Sequence, residues 1–190
     1  VPEVTVAPTR VPDGLIVHEW GTFTSVGSST GVLMEGLHHE EEALPAFVHG
    51  RASEAAMPMA SVGKSVESLL AGVTQKLETP VLYFYGRAAQ GVRVRVDFPT
   101  GVVSQWYPRA TRYGPALGTL NAAGGNFVPG NGFMEWDFDM MPEMTNADFP
   151  AVAPDDIWAP SRRVASIPVA VGGERERFIF YRGLGAFELP

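Results

Sequence analysis

The four histidines of this 190-residue chain, His18, His38, His39 and His49, all fall within its first 50 residues. Neutral imidazole is the commonest side-chain ligand for transition metals. A neighbouring carboxylate such as Glu40 completes a His/Glu set that suits zinc, or copper where imidazole dominates. The spacing gives this set a specific geometry. Leu15 to Val26 reads as a strand, Gly27-Ser28-Ser29-Thr30-Gly31 as a turn, and Val32-Leu33-Met34 as a returning strand. A turn centred between Ser28 and Ser29 pairs residues whose numbers sum to 57, which sets His18 opposite His39. Directly opposed Cβ atoms lie roughly 5 Å apart, close enough for two imidazoles to share one ion. The competing reading makes His38 to Glu42 a solvated acidic loop and His18 an ordinary hydrogen-bonded strand residue. A zinc-protease helix is absent, because His18-Glu19 has no second histidine at the required spacing.

Other residues offer weaker chemistry. Gly27-Ser28-Ser29-Thr30-Gly31 carries the letters of a nucleophile elbow, but that motif needs a strand before it and a helix after it, and here both flanks read as strand. His18 and Trp20 share one face of their strand and Glu19 takes the other. A glutamate in an apolar strand needs a partner, and Arg51, Arg87 or Arg182 is available for an ion pair. Trp106, Tyr107 and Trp158 are candidates for a partner or ligand surface. Of these, Trp158 stands out, in the acidic loop Asp155-Asp156-Ile157-Trp158, whereas Trp106 on an alternating strand also suits a core. Asp137, Asp139 and Asp155-Asp156 are hard oxygen ligands of the kind calcium takes, though without EF-hand spacing.

The composition narrows the field. With 45% apolar and 18% charged residues, the chain belongs among globular proteins and is long enough for a sizeable core. A net charge of −7 without a basic stripe argues against a nucleic-acid partner. The absence of cysteine removes disulfides, thiolate metal sites and a thiol nucleophile together. No apolar run reaches the roughly 18 residues of a transmembrane segment. The opening Val1-Pro2-Glu3, with further prolines at Pro8 and Pro12, reads as an extended leader over 1–14 that follows a removed targeting segment. The apolar end at Phe187 to Pro190 reads as an interior cut in a longer polypeptide.

These residues must be positioned by strands. Gly (21) and Pro (16) are scattered between apolar runs, as in many short strands joined by turns. Val81 to Tyr85 is apolar on both faces and reads as a central strand. Val92, Val94, Val96 and Phe98 alternate with Arg93, Arg95 and Asp97, and Met134, Trp136 and Phe138 alternate with Glu135 and Asp137. Val102 to Tyr107 adds another strand. Ala165 to Val171, turned by Gly172-Gly173 into Arg177 to Tyr181, forms the clearest hairpin. Pro142 to Pro160 reads as loop. Ser65 to Val73 has helical spacing and places one or two short helices in an excursion at about 35–76. About eight strands with no βαβ alternation predict a mainly β protein, a single antiparallel β-sandwich over 15–190 of jelly-roll or Ig-like type.

The run His18-Glu19-Trp20-Gly21-Thr22-Phe23-Thr24 resembles the opening of a group of large, exported bacterial proteins to which no activity is assigned. Glu78-Thr79-Pro80-Val81-Leu82-Tyr83-Phe84-Tyr85 and Phe180-Tyr181-Arg182-Gly183-Leu184-Gly185 resemble two further segments of the same group, in the same order. The resemblance implies export to the periplasm, the cell surface or the medium, and a β-domain at the start of a longer polypeptide. Two functions remain open. One is a secreted binding or assembly module whose aromatic and edge-strand surfaces meet a protein or glycan partner, or the remainder of the polypeptide. The other is a zinc- or copper-binding domain centred on His18, His38, His39, His49 and Glu40.

Overall fold

The structure, a computed structural model, describes residues 14–34, 44–50, 75–99, 101–115 and 132–185. Among these described residues ten strands follow one another. They are β1 (Ile16–Ser25), β2 (His49–Gly50), β3 (Gln75–Tyr85), β4 (Val92–Phe98), β5 (Gly101–Tyr107), β6 (Arg112–Gly114), β7 (Gly132–Met140), β8 (Val169–Val171), β9 (Glu174–Glu176) and β10 (Ile179–Gly185). They form two antiparallel sheets. The first has the order β1-β3-β10-β5-β2; in the second β4, β7, β8 and β9 follow in that order and β6 also pairs with β7. The expected β-sandwich is therefore present. The leader and nearly all of the helical excursion lie outside the described residues.

Alternation decides which sheet face each strand buries. Leu82 and Phe84 of β3, Ile179 and Tyr181 of β10, and Met134, Trp136 and Phe138 of β7 fill the space between the sheets. Phe84 and Phe138 meet across it with ring centroids 4.7 Å apart. The intervening residues of the first sheet are apolar too. Val81, Tyr83, Tyr107 and Phe180 form a second core on its outer face, closed by Trp158 and Phe178. The first sheet is thus covered on both sides, which is why β3 is apolar at every position from Val81 to Tyr85.

Two irregularities keep these faces consistent. Across β3, Trp20 pairs with Val81 but Thr22 with Glu78, and on the other side Phe180 pairs with Val81 but Gly183 with Leu77. The extra residue lies at Thr79-Pro80, so a proline that cannot donate to a ladder sits at a bulge of an interior strand. Gly21 fits there because a Cβ would come within 2.9 Å of the Pro80 Cα. In β5 the extra residue is Ser104, between the pairs Arg182–Gln105 and Gly183–Val103. It shifts the alternation so that Val103 and Trp106 both face inward.

Two expectations need correction. The hairpin at Gly172-Gly173 joins Val169–Val171 to Glu174–Glu176, not to Arg177–Tyr181. Gly172 has φ 58°, the first position of a type II′ turn. At Arg177-Phe178 the chain leaves the second sheet, and β10 enters the first between β3 and β5. Secondly, Trp106, Tyr107 and Trp158 are not a surface, being 0%, 2% and 4% exposed. Trp106 fills the space between the sheets, and Tyr107 and Trp158 belong to the outer core that the doubly covered sheet requires. The 142–160 segment is loop, as expected, with a 3-10 turn at Asn146–Asp148 and another starting at its end, Pro160–Arg163, and it lies as a covering layer.

Where β4 turns into β5 the two sheets approach closely. A Cβ on Gly132 would run into the Gly101 carbonyl, a backbone atom that cannot swing aside. Gly132→Ala is therefore expected to lower stability by about 1–3 kcal/mol through overpacking. Gly173→Ala, with nothing within 4 Å of the added carbon, is expected to leave it nearly unchanged. Urea unfolding of both variants, read as a midpoint shift at constant slope, checks this.

Candidate functional site

Among the described residues strand β1 is the outermost of the first sheet, and its alternation sends Val17 and Glu19 toward the second sheet. A cleft of about 420 Å³ opens there, lined by Val17, Glu19, Leu82 and Tyr181 on one side and Val94, Val96 and Phe98 of β4 on the other. Its floor is apolar, and its charged side chains are Glu19 on the β1 side and Arg95 and Asp97 on the β4 side. The Tyr181 hydroxyl donates to Glu19 Oε1. Burial, with the hydrogen bond and charge of Glu19 behind it, pushes the Tyr181 phenol far above its ordinary value, so it stays a proton donor. Arg95 also lines the cleft but is bound to Asp97 at 2.8 Å. Among the described residues Glu19 has no cationic partner. Arg182, one of its expected partners, donates to Gln105 Oε1 at 3.1 Å instead, and Arg51 lies outside the described residues.

On the other side of β1, His18 and Trp20 border a second cleft with Tyr83, Tyr85, Pro160, Ser161 and Val164. His18 lies 5.0 Å from Tyr85 between ring centroids, and Trp20 is 69% exposed. Past β1, Gly27 bridges Leu33, and the turn is held by Ser28 N to Val32 O at 2.8 Å and by Gly31 at φ 80°. Leu15, Ile16, Val17, Trp20, Val26, Val32, Leu33 and Met34 are all exposed, leaving only Tyr113 and Ile157 as exposed large apolar residues elsewhere among the described ones.

The histidine set is divided by this topology. His18 stands opposite Tyr83 of β3, and the Gly27–Leu33 bridge gives a register sum of 60 rather than 57. His49 is on β2, at the other edge of the same sheet. Four strand spacings separate the two edges, roughly 19 Å, so no single ion takes both His18 and His49. His38, His39 and Glu40 lie outside the described residues. Among the described residues no group of three His, Cys, Asp or Glu side chains is placed to hold a metal ion. His49 instead sets Nε2 at 2.8 and 3.0 Å from the two Glu174 oxygens, with its ring stacked 6.0 Å from Tyr107. Glu174 also accepts the Arg109 N–H at 2.6 Å.

Three of the four acidic residues considered for calcium are engaged locally. Asp137 binds Arg93 at 2.6 Å, Asp139 accepts the Gly91 N–H at 2.8 Å, and Asp156 accepts the Trp158 N–H at 2.8 Å. The strongest polar cluster is one that reading the sequence missed. Glu176, wholly buried, accepts from the Trp158 indole at 2.9 Å and from Arg162 Nη2 at 2.6 Å. Arg162 Nη1 donates in turn to the Pro150 carbonyl at 2.7 Å. This network pins the 150–163 layer to β9 of the second sheet and positions structure rather than substrate. The residues around it gave little signal, because Glu174-Arg175-Glu176 after Gly172-Gly173 reads as a charged, exposed edge. A carboxylate that is nevertheless buried must find partners.

Arg162→Met leaves the Glu176 carboxylate buried without its cation and is expected to cost about 3–5 kcal/mol. Red-shifted emission from the uncovered Trp158, with a lower urea midpoint, checks this. The buried phenols make a second prediction. Tyr83, Tyr107 and Tyr181 all ionise above their ordinary value of 10.0 in the folded protein, chiefly because burial penalises the phenolate. The unfolded chain therefore loses these protons first. Their contribution is intact below pH 10 and is lost as pH rises beyond it. The tyrosinate absorbance of these three residues is expected to appear together with unfolding, and Tyr107→Phe is expected to flatten the alkaline decline.

The runs 18–24, 78–85 and 180–185 lie on β1, β3 and β10, three neighbouring strands of one sheet. No helix among the described residues is long and apolar enough to cross a membrane. Compared with family models, with curated proteins and with solved structures, the chain matches none.

Proposed function

We propose that the chain is a binding or assembly module of an exported protein, and that it meets a polypeptide partner, or the remainder of its own polypeptide, along β1. The observation that carries this reading is a contrast between sheet edges. Natural proteins blunt exposed edges by keeping them short or by placing charge or proline on them. Strand β2 has two residues, and β9 has three with the sequence Glu-Arg-Glu. Strand β4 alternates its valines with Arg93, Arg95 and Asp97. Strand β1 has ten residues, one charge, and no lysine, arginine or proline. It also carries the exposed Ile16, Val17 and Trp20. A long apolar edge is a place of contact, and its cost in aggregation is offset where a partner covers it. Export rests on the resemblance of the three runs on β1, β3 and β10.

A photo-crosslinking residue at position 20, in the exported polypeptide made in its own cell, tests this. A discrete adduct is expected from position 20. None is expected from position 93, an exposed site on the outer face of the second sheet. No adduct from position 20, or equal labelling from both sites, overturns the reading.

A further inference from the structure

We infer that the partner supplies an extended strand that pairs with β1, inserts apolar side chains into the cleft between the sheets, and sets a lysine or arginine opposite Glu19. This rests on the proposed binding role of β1 and specifies the chemistry of what binds there. Two openings coincide. Among the described residues the first sheet ends at β1, and the space between the sheets is open along the same side, where β4 is the edge of the second sheet. Val92, Val94 and Val96 point into the core with only partial burial, although the matching inward residues of β7 are fully buried. One more strand beside β1 would lie about 4.8 Å away and send every second side chain into this mouth. The cleft's 420 Å³ falls within the roughly 300–1,000 Å³ of sites that enclose a ligand.

The charge in the cleft selects among strands. Glu19 shares one oxygen with Tyr181, and the other has no partner among the described residues. Asp97 and Arg95 neutralise each other at the rim. A residue directly opposite Glu19 on an added strand would place its Cβ roughly 5 Å away, where a basic side chain is favoured and an acidic one disfavoured. A second copy of the chain does not meet this requirement through β1. That strand contains no lysine or arginine, and two copies would bring a second carboxylate to the same face.

The test uses the full chain and a synthetic ten-residue peptide of alternating valine and threonine with one central lysine. Of the four tryptophans, Trp20 alone is exposed, since Trp106, Trp136 and Trp158 are buried, so its quenching by acrylamide reports cover on β1. Saturable protection of Trp20 is expected. Affinity should be about fivefold weaker for the peptide with glutamate in place of lysine. It should be lost when the peptide's ladder-facing amides are N-methylated. Glu19→Gln, which keeps an acceptor for Tyr181, is expected to erase the preference between lysine and glutamate peptides. Four results overturn the inference: no protection of Trp20, a preference unchanged in Glu19→Gln, Trp20 cover that tracks self-association without peptide, or peptide binding only after removal of residues 1–13. Failure of the peptide with position-20 crosslinking intact overturns strand addition and leaves the edge as a docking surface. Loss of both overturns the binding role itself.

Discussion

Glu176, on β9 of the second sheet, holds a carboxylate at full burial between the Arg162 guanidinium and the Trp158 indole, and the cover over the outer face of the first sheet depends on that contact. An ionised carboxylate in an apolar layer is tolerated only when its oxygens are saturated by donors. Arg162 and Trp158 both come from the 150–163 segment, so satisfying Glu176 draws that segment across the outer face of the sheet. Once there, Trp158 packs on Phe178 and Phe180 with ring centroids 5.2 and 5.0 Å away. The sheet can then be apolar on both faces. Its central strands carry no polar alternation because neither face meets water.

The cover ends before it reaches β1. The 150–163 layer contributes Pro160 and Ser161, and the next residue Val164, to the cleft beside His18 and Trp20, but Trp20 itself stays exposed. On the inner side, β4 stands across from β1 without closing the gap. A sheet built for burial on both faces thus presents its least protected strand at an edge. The other edges avoid this by length or charge. The combination explains why apolar exposure is concentrated between residues 15 and 34 instead of being scattered, as single exposed apolar residues ordinarily are.

Strands whose pattern is local were readable from the residues. Strands β4 and β7 show period-two alternation, and β3 shows the continuous apolar run of a strand buried on both sides. What depended on distant partners was not readable. The Gly27-to-Gly31 turn suggested a long hairpin carrying His18 toward His39, but the strand that pairs with β1 begins about 50 residues later, at Gln75. A turn sets register only near itself. The partner of Glu19 is Tyr181, 162 positions away. Trp158 sits among Asp155, Asp156 and prolines, and nothing local says that its ring caps a core while its neighbours face water. The change of sheet at Arg177-Phe178 did leave a trace. Phe178 and Ile179 are adjacent and both buried, which a regular half-exposed strand does not allow.

The Glu19–Tyr181 contact links the edge to the core. Tyr181 lies between Phe98 and Trp136 in the space between the sheets, 6.0 and 6.3 Å from them by ring centroids. Its hydroxyl emerges toward β1 and meets Glu19 there. A buried phenol needs an acceptor, and the strand nearest its hydroxyl supplies one. The same bond fixes the Glu19 side chain on the cleft side of β1, so the carboxylate is oriented before any partner arrives. Orientation in advance lowers the entropy that an incoming cation would otherwise have to overcome. A residue that first reads as an awkward charge in an apolar strand is, in this setting, anchored by the core at one oxygen and left open to the edge at the other.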